Sequence, residues 1–218
     1  MMQARLHHNG GSVLVRSCDW LAKIESLGAR GVIFDCDGTL VDSAAAHCLS
    51  LQAAVRDQGF ELDATWYSAR SGLDRKTLFH QFKNDIAPHL DVAAAIQDSI
   101  AQFSVQVEKV IPIRATTDLF RQLSKRGYQL AVVTNAERPV ATQSLRRTRL
   151  LEKIQELVCI TDGFPPKPAP QMFERAAALF DLPANQVVVF EDSPQGVEAA
   201  TSANMAVFEI SEVQLDQD

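Results

Sequence analysis

One segment of the sequence joins a short apolar run to two aspartates: Gly31-Val32-Ile33-Phe34-Asp35-Cys36-Asp37-Gly38-Thr39-Leu40-Val41-Asp42-Ser43. The β-branched and aromatic residues 32–34 predict a strand buried on both faces. Gly38 allows the chain to turn sharply after that strand. Carboxylates at the end of a buried strand are costly unless a positive charge lies between them, and Mg²⁺ is the cation that best suits oxygen ligands. An aspartate in such a place can also attack phosphorus.

Composition favours a cytoplasmic protein without nucleic-acid or membrane partners. The chain has 218 residues, of which 46% are hydrophobic, and a formal net charge of −6. Its densest basic cluster, Arg146, Arg147 and Arg149, is short, which argues against nucleic-acid binding. No apolar run reaches bilayer length, and the first residues lack the apolar core of a signal peptide. The four cysteines are scattered without a C-x-x-C spacing, as expected in a reducing compartment.

The second half of the chain alternates between short apolar runs and segments of helical periodicity. This alternation predicts an α/β fold with a parallel sheet and helices on both of its faces. The predicted strands, besides the first, are residues 129–133, 157–160, 187–190 and 205–208.

A long segment after the first strand shows helical patterns and no strand signal. We therefore expect residues 42–110 to form an inserted, all-helical cap domain. Residues 1–41 and 111–218 then form the catalytic core. Within the core, residues 1–29 are an N-terminal extension that contributes one helix, at about 17–27, and no chemistry.

Polar residues follow the predicted strands at the points where they end. Because the carboxyl ends of parallel strands form the ligand-binding edge of such sheets, we expect these side chains to meet. Each alone also fits a helix cap, a turn or a solvated loop, but their joint placement favours a site for a cation and a phosphate. The candidates are Asp35, Asp37, Thr134, Asn135, Glu191, Asp192 and, from the loop 165–170, Lys167.

Four motifs in this order resemble those of haloacid dehalogenase superfamily phosphatases that carry a helical cap. The branch they resemble contains phosphoglycolate phosphatases, small sugar-phosphate phosphatases and β-phosphoglucomutase. The resemblance runs from about residue 31 to 208. The motifs are Asp35-Cys36-Asp37-Gly38-Thr39-Leu40-Val41-Asp42-Ser43, Val132-Val133-Thr134-Asn135, Lys167-Pro168-Ala169-Pro170 and Phe190-Glu191-Asp192-Ser193-Pro194-Gln195-Gly196.

The resemblance implies a Rossmann-like core, a four-helix cap and a requirement for Mg²⁺. It makes Asp35 the nucleophile, through an aspartyl-phosphate, and Asp37 the general acid and base. The metal ligands would be Asp35, Asp192 and the backbone carbonyl of Asp37, with Glu191 outside the first ligand shell. Lys167 would balance charge on Asp35 and the phosphoryl group. The remaining groups expected at the phosphate or substrate are Thr134, Asn135, Gly38 and Thr39.

Two residues of the cap segment are candidates for contact with the leaving group. Arg75 lies in Gly72-Leu73-Asp74-Arg75, which resembles a cap loop that reaches the substrate in some relatives; the alternative is a solvated arginine in a first helical turn. His47 matches a histidine common in this branch, and we expect it near the substrate or Asp37; the alternative is a structural histidine.

These features predict a Mg²⁺-dependent phosphomonoester hydrolase that acts on a small phosphorylated metabolite, either a sugar phosphate or a phosphoglycolate-like compound. The same residues also fit a phosphosugar mutase of the β-phosphoglucomutase type. A non-enzymatic binding protein on this fold is the alternative from another class, although none of Asp35, Asp37, Lys167 and Asp192 has been lost. A 2-haloacid dehalogenase is disfavoured, because it would not need the acid that Asp37 supplies. We expect a monomer or a weak homodimer.

Overall fold

A computed structural model describes residues 2–210 and contains a mixed seven-stranded sheet. The strands of this sheet are β1 (Gln3–His8), β2 (Gly11–Arg16), β3 (Gly31–Phe34), β6 (Gln129–Thr134), β7 (Glu156–Cys159), β8 (Val187–Glu191) and β9 (Ala206–Ile210), and β4 (Val41–Asp42) pairs separately with β5 (Ile111–Pro112). The helices are α1 (Trp20–Ser26), α2 (Ala44–Arg56), α3 (Ala64–Ser68), α4 (Arg75–Asp85), α5 (Val92–Gln106), α6 (Arg114–Lys125), α7 (Arg138–Arg147), α8 (Gln171–Leu179) and α9 (Pro194–Ser202).

The strand order is β2-β1-β9-β8-β3-β6-β7, and β3 lies in the middle of the five parallel strands. Side chains of β3 alternate between two apolar layers, as strand geometry requires. Phe34 packs on one face with Phe120 and Phe190, and Ile33 packs on the other with Phe173. The predicted parallel sheet with helices on both faces is confirmed.

The N-terminal extension differs from the prediction, because most of residues 1–17 is sheet. β1 and β2 form a hairpin, and β1 pairs antiparallel with β9, which makes the sheet mixed at this edge. Asn9 and Gly10 form the turn, both with positive φ. The predicted helix at 17–27 is present as a 3₁₀ turn followed by α1, and Trp20 of α1 packs edge-on against Phe190.

Between β4 and β5 the described chain contains helices and no strand. Helices α2 to α5 enclose an apolar cluster of their own, which includes Leu51, Phe79 and Phe82. The two-residue pair β4–β5 lies where the chain enters and leaves this helical segment. The division into a core and a cap at residues 42 and 110 stays a prediction. Within residues 2–210, none of the helices combines the length and apolar character needed to cross a membrane.

Candidate active site

Lys167 links the carboxyl ends of β3 and β8, two neighbouring parallel strands of the sheet. Its Nζ donates to Asp35 Oδ1, directly after β3, and to Glu191 Oε1, the last residue of β8, each at 2.6 Å. A third bond reaches the carbonyl oxygen of Val133 at 2.9 Å. Burial lowers the pKa of Lys167, but the two carboxylates outweigh burial and hold the pKa above its usual value. The ammonium group is therefore charged and fixed at the base of the site.

Glu191 is fully buried and uses both carboxylate oxygens within the protein. Oε1 accepts from Lys167, while Oε2 accepts from the backbone N–H groups of Asp192 and Ser193 and from the Ser193 hydroxyl. A Cβ on Gly196 would lie 1.8 Å from Oε1, so this glycine makes room for the carboxylate. Glu191 thus fixes Lys167 and the turn into α9.

Asp192 lies against the turn that follows β3. Thr39 Oγ1 donates to Asp192 Oδ1 at 3.0 Å, and a Cβ on Gly38 would lie 1.9 Å from Oδ2. Gly38 also has a φ of +86°, which favours glycine. Gly38 and Thr39 therefore shape the position of Asp192, and Thr39 is itself fully buried.

Asp35, Glu191 and Asp192 each offer a carboxylate oxygen within 4.8 Å of the others. Burial raises the pKa of Asp35 well above its usual value; Lys167 opposes this, and the charges of Glu191 and Asp192 add to it. Burial, followed by the charge of Glu191, raises the pKa of Asp192 to about 7. Three carboxylates thus share one ammonium group, and a divalent cation with oxygen ligands fits this uncompensated charge. Since Glu191 is committed to other partners, Asp35 and Asp192 are the side chains that would hold it.

Asp37 points toward the helical segment and is held by two of its residues. Its Oδ1 accepts from Ser43 Oγ at 2.6 Å and lies 3.1 Å from His47 Nε2. Burial raises the pKa of Asp37, but His47, Ser43 and the nearby Arg75 outweigh burial, so its pKa lies below the usual value. The two aspartates of the turn therefore have different environments: Asp35 faces Lys167 and Asp37 faces α2.

Arg75 determines which nitrogen of His47 carries the proton. Its Nη2 lies 3.2 Å from His47 Nδ1, and because a guanidinium only donates, Nδ1 accepts and Nε2–H is left to donate to Asp37. Arg75 also forms a buried ion pair with Glu137 and donates from Nε to Ser99. A chain of contacts thus runs from Glu137 through Arg75 and His47 to Asp37.

Thr134 is the last residue of β6, one residue beyond the predicted strand end, and Asn135 follows it; the two side chains are engaged differently. Thr134 Oγ1 accepts from the Ala136 N–H, which leaves its own proton to donate. Asn135 uses both ends of its amide: Oδ1 accepts from Lys167 N, and Nδ2 donates to the Gly72 carbonyl. Asn135 therefore ties the lysine loop to the loop before α4.

A cavity of about 760 Å³ extends under the helical segment, and Asp35, Asp37, Thr134, Lys167 and Asp192 are among the residues that line it. Tyr67, which was not among the predicted site residues, lines it too. Burial raises the pKa of Tyr67, and the nearby charge of Asp37 adds to this effect. Tyr67 lies in α3, four residues after the N-cap residue Asp63, and no sequence motif at this position indicates a site residue.

The model of one protein family, described as haloacid dehalogenase-like hydrolase, matches residues 32–210. The chain belongs to the haloacid dehalogenase-like hydrolases. This confirms the family and the hydrolase class that the four motifs predict.

Curated relatives within this group are named for small phosphorylated compounds. Fructose-1-phosphate phosphatase YqaB of Escherichia coli K12 is 27% identical over 184 residues, which are 83% of this chain and 95% of that protein. The plasmid-borne phosphoglycolate phosphatase of Cupriavidus necator is 28% identical over 190 residues, covering 84% of this chain and 80% of the relative.

Among solved structures of haloacid dehalogenase-like fold, CbbY from Rhodobacter sphaeroides in complex with phosphate superposes with a TM-score of 0.75. The alignment has 22% identity and covers 82% of this chain and 84% of that one. At this level of identity the likeness concerns the fold.

Proposed function

We propose that this chain is a Mg²⁺-dependent phosphomonoester hydrolase that forms an aspartyl-phosphate on Asp35. The observation that carries the proposal is the separation of roles between two aspartates on one turn. Lys167 Nζ holds Oδ1 of Asp35 at 2.6 Å, whereas Ser43 and His47 hold Asp37. One carboxylate is placed as a nucleophile beside a fixed positive charge, and the other is placed to exchange protons.

In the first step an oxygen of Asp35 forms a bond to phosphorus while the bond from phosphorus to the leaving oxygen breaks. Asp37, whose pKa is lowered in the substrate-free site, acts here from its minor, protonated form: it gives its proton to that leaving oxygen and becomes a carboxylate. In the second step the Asp37 carboxylate removes a proton from water as the water oxygen attacks phosphorus. Asp35 is then released, and Asp37 is protonated again.

Mg²⁺ would be held by the side chains of Asp35 and Asp192 and the backbone carbonyl of Asp37. When bound, it offsets the charge that the phosphoryl oxygens and the carboxylates bring together. Lys167 contributes a second positive charge to the same oxygens, and the free proton of Thr134 donates to one of them. Glu191 fixes Lys167, and Thr39 fixes Asp192.

The helical segment would exclude water from the reaction, because it contacts the core at several points around the site. Asn135 Nδ2 bonds the Gly72 carbonyl at 3.1 Å, and a Cβ on Gly72 would lie 3.0 Å from Ser193 Cβ. The residues proposed for direct contact with the phosphoryl group are Lys167 and Thr134, whereas the amide of Asn135 positions the loops on either side.

The names of the relatives support the proposal that the substrates are small sugar phosphates or phosphoglycolate-like compounds. The test is a screen of phosphorylated metabolites for release of inorganic phosphate with Mg²⁺, run beside p-nitrophenyl phosphate. We expect phosphate release that a chelator abolishes. A β-phosphoglucomutase-like enzyme would instead convert one sugar monophosphate into another and release little phosphate. Absence of turnover on every compound would favour a binding protein.

A further inference from the structure

The arginine nearest the proposed leaving-group end of the cavity is neutralised by an acid of the same chain. Arg75 lines the cavity, yet it is only 6% exposed and forms an ion pair with Glu137, which is 8% exposed. Its other donors meet Ser99 and His47. A buried ion pair with this many partners has no free charge to offer a ligand.

The other two cationic side chains that line the cavity, within residues 2–210, are also paired. Arg70 Nη2 donates to Asp85 Oδ2 at 3.1 Å, and its guanidinium lies 4.1 Å from the centre of the Trp66 ring. Lys167 is held by two carboxylates at the phosphate end. No lysine or arginine in this lining is therefore available for a second anionic group of a substrate.

Acids add to the negative potential along the same cavity. Besides the carboxylates of the proposed reaction, Asp42 and Glu209 line it. Glu209 lies 2.6 Å from His7 Nε2, whereas Asp42 accepts only from the backbone N–H of Ala44, at 3.4 Å, and has no cationic partner among the described residues. A carboxylate or second phosphate entering here would meet acids without a matching cation, which costs binding free energy.

Uncharged polar groups line the same end of the cavity. Tyr67 lines the cavity together with Asp37 and Arg75, and its phenol makes no hydrogen bond to any other described residue. Ser68 and Ser71 lie beside it, and their hydroxyl oxygens retain lone pairs after donating to backbone carbonyls. Such groups match the hydroxyls of a polyol or sugar.

We propose that the leaving group of this enzyme is an uncharged, hydroxylated carbon chain, with the Tyr67 hydroxyl bonded to one of its hydroxyls, and that Glu137 disfavours substrates with a second anionic group. The inference rests on the proposed phosphatase function and narrows its substrate class. It favours neutral sugar or polyol monophosphates over phosphoglycolate-like acids, two substrate classes that the family resemblance does not distinguish.

The test compares glycerol 3-phosphate with 3-phosphoglycerate, which differ only in a terminal CH₂OH or carboxylate. We expect kcat/KM of the wild type to be higher for glycerol 3-phosphate by about tenfold or more. In Glu137→Gln, the released charge of Arg75 should shift this ratio toward 3-phosphoglycerate by about tenfold. Asp162→Asn is the matched control, because it removes the acid partner of Arg138 outside the cavity lining, and it should leave the ratio unchanged.

Equal kcat/KM for the two compounds, or a preference for 3-phosphoglycerate, would overturn the inference. If the same enzyme still hydrolyses p-nitrophenyl phosphate, the proposed phosphatase function would stand. Absence of turnover on p-nitrophenyl phosphate and on both metabolites would refute the phosphatase function and the inference with it. If Glu137→Gln does not fold, Tyr67→Phe still tests the contact. It should raise KM for glycerol 3-phosphate and leave KM for p-nitrophenyl phosphate unchanged, and an equal effect on both would contradict the role of Tyr67.

Discussion

His47 Nε2 lies 3.1 Å from Asp37 Oδ1, so a helix of the inserted segment holds the proposed acid–base carboxylate. The opposite ring nitrogen accepts from Arg75, which fixes the ring as a donor toward Asp37. The ring also packs 4.7 Å from the ring of Phe103 on α5. The position of the helical segment and the protonation of Asp37 are thereby linked.

His47→Ala should impair the step in which Asp37, as a carboxylate, removes a proton from water. His47 is the leading influence that lowers the pKa of Asp37, so removing it should raise that pKa and move the acidic limb of the pH–rate profile to higher pH. We expect kcat for an alkyl phosphate to fall by up to about 10²-fold, within the range of general acid–base assistance. The measurement is kcat against pH. His80→Ala, an exposed histidine of α4, is the control, and an unmoved acidic limb in His47→Ala would contradict the link.

Gly38→Ala should displace Asp192 and weaken Mg²⁺ binding. The new Cβ would lie 1.9 Å from Asp192 Oδ2. Gly127→Ala is a matched control, because Gly127 has a φ of +78° against +86° for Gly38, but nothing lies within 4 Å of its added Cβ. Both should lose about 1–2 kcal/mol of stability from the left-handed backbone. Titration of activity with Mg²⁺ should show a raised half-saturating concentration in Gly38→Ala alone; an equal rise in both variants would contradict this role of Gly38.

Stabilisation by Mg²⁺ should depend on pH. Because the pKa of Asp192 is raised to about 7, the folded protein binds more protons than the unfolded chain between about pH 4 and 7, and metal-free stability falls as pH rises through this window. Mg²⁺ binds the ionised carboxylate, so it should raise Tm more above pH 7 than below pH 6. Thermal unfolding with and without Mg²⁺ measures this effect. Asp192→Asn should lose most of it, and a Tm increase independent of pH would argue against Asp192 as a ligand.

The ends of the parallel strands could be predicted from the sequence, because a strand buried on both faces is a continuous run of apolar residues and the first polar residue after the run marks its end. Asp35, Thr134 and Glu191 therefore meet at one edge, as expected. The partners of the polar groups could not be predicted, because they come from distant segments. Thr39 binds Asp192, and Asn135 bonds the Gly72 carbonyl, so contacts of both residues with substrate stay predictions.

The N-terminal hairpin was missed although the sequence contains a turn signal for it. Asn9-Gly10 is a strong hairpin turn sequence, and both residues have positive φ. The pairing of β1 with β9 joins residues about two hundred positions apart, for example Leu6 with Phe208, and the local pattern contains no trace of that partner. The ion pair of Arg75 with Glu137 escaped prediction for the same reason, since each residue alone resembles a solvated helical charge.

Trapping of the phosphoenzyme tests the central claim, that Asp35 is the nucleophile, most directly. Wild type mixed with Mg²⁺ and p-nitrophenyl [³²P]phosphate and quenched in acid should retain label on Asp35, and Asp35→Asn should retain none. Asp37→Asn should still become labelled, because p-nitrophenolate leaves with little need of a proton, but it should lose the label slowly since water activation uses Asp37. Label on Asp35→Asn, or turnover by wild type without label on Asp35 at any quench time, would contradict the mechanism.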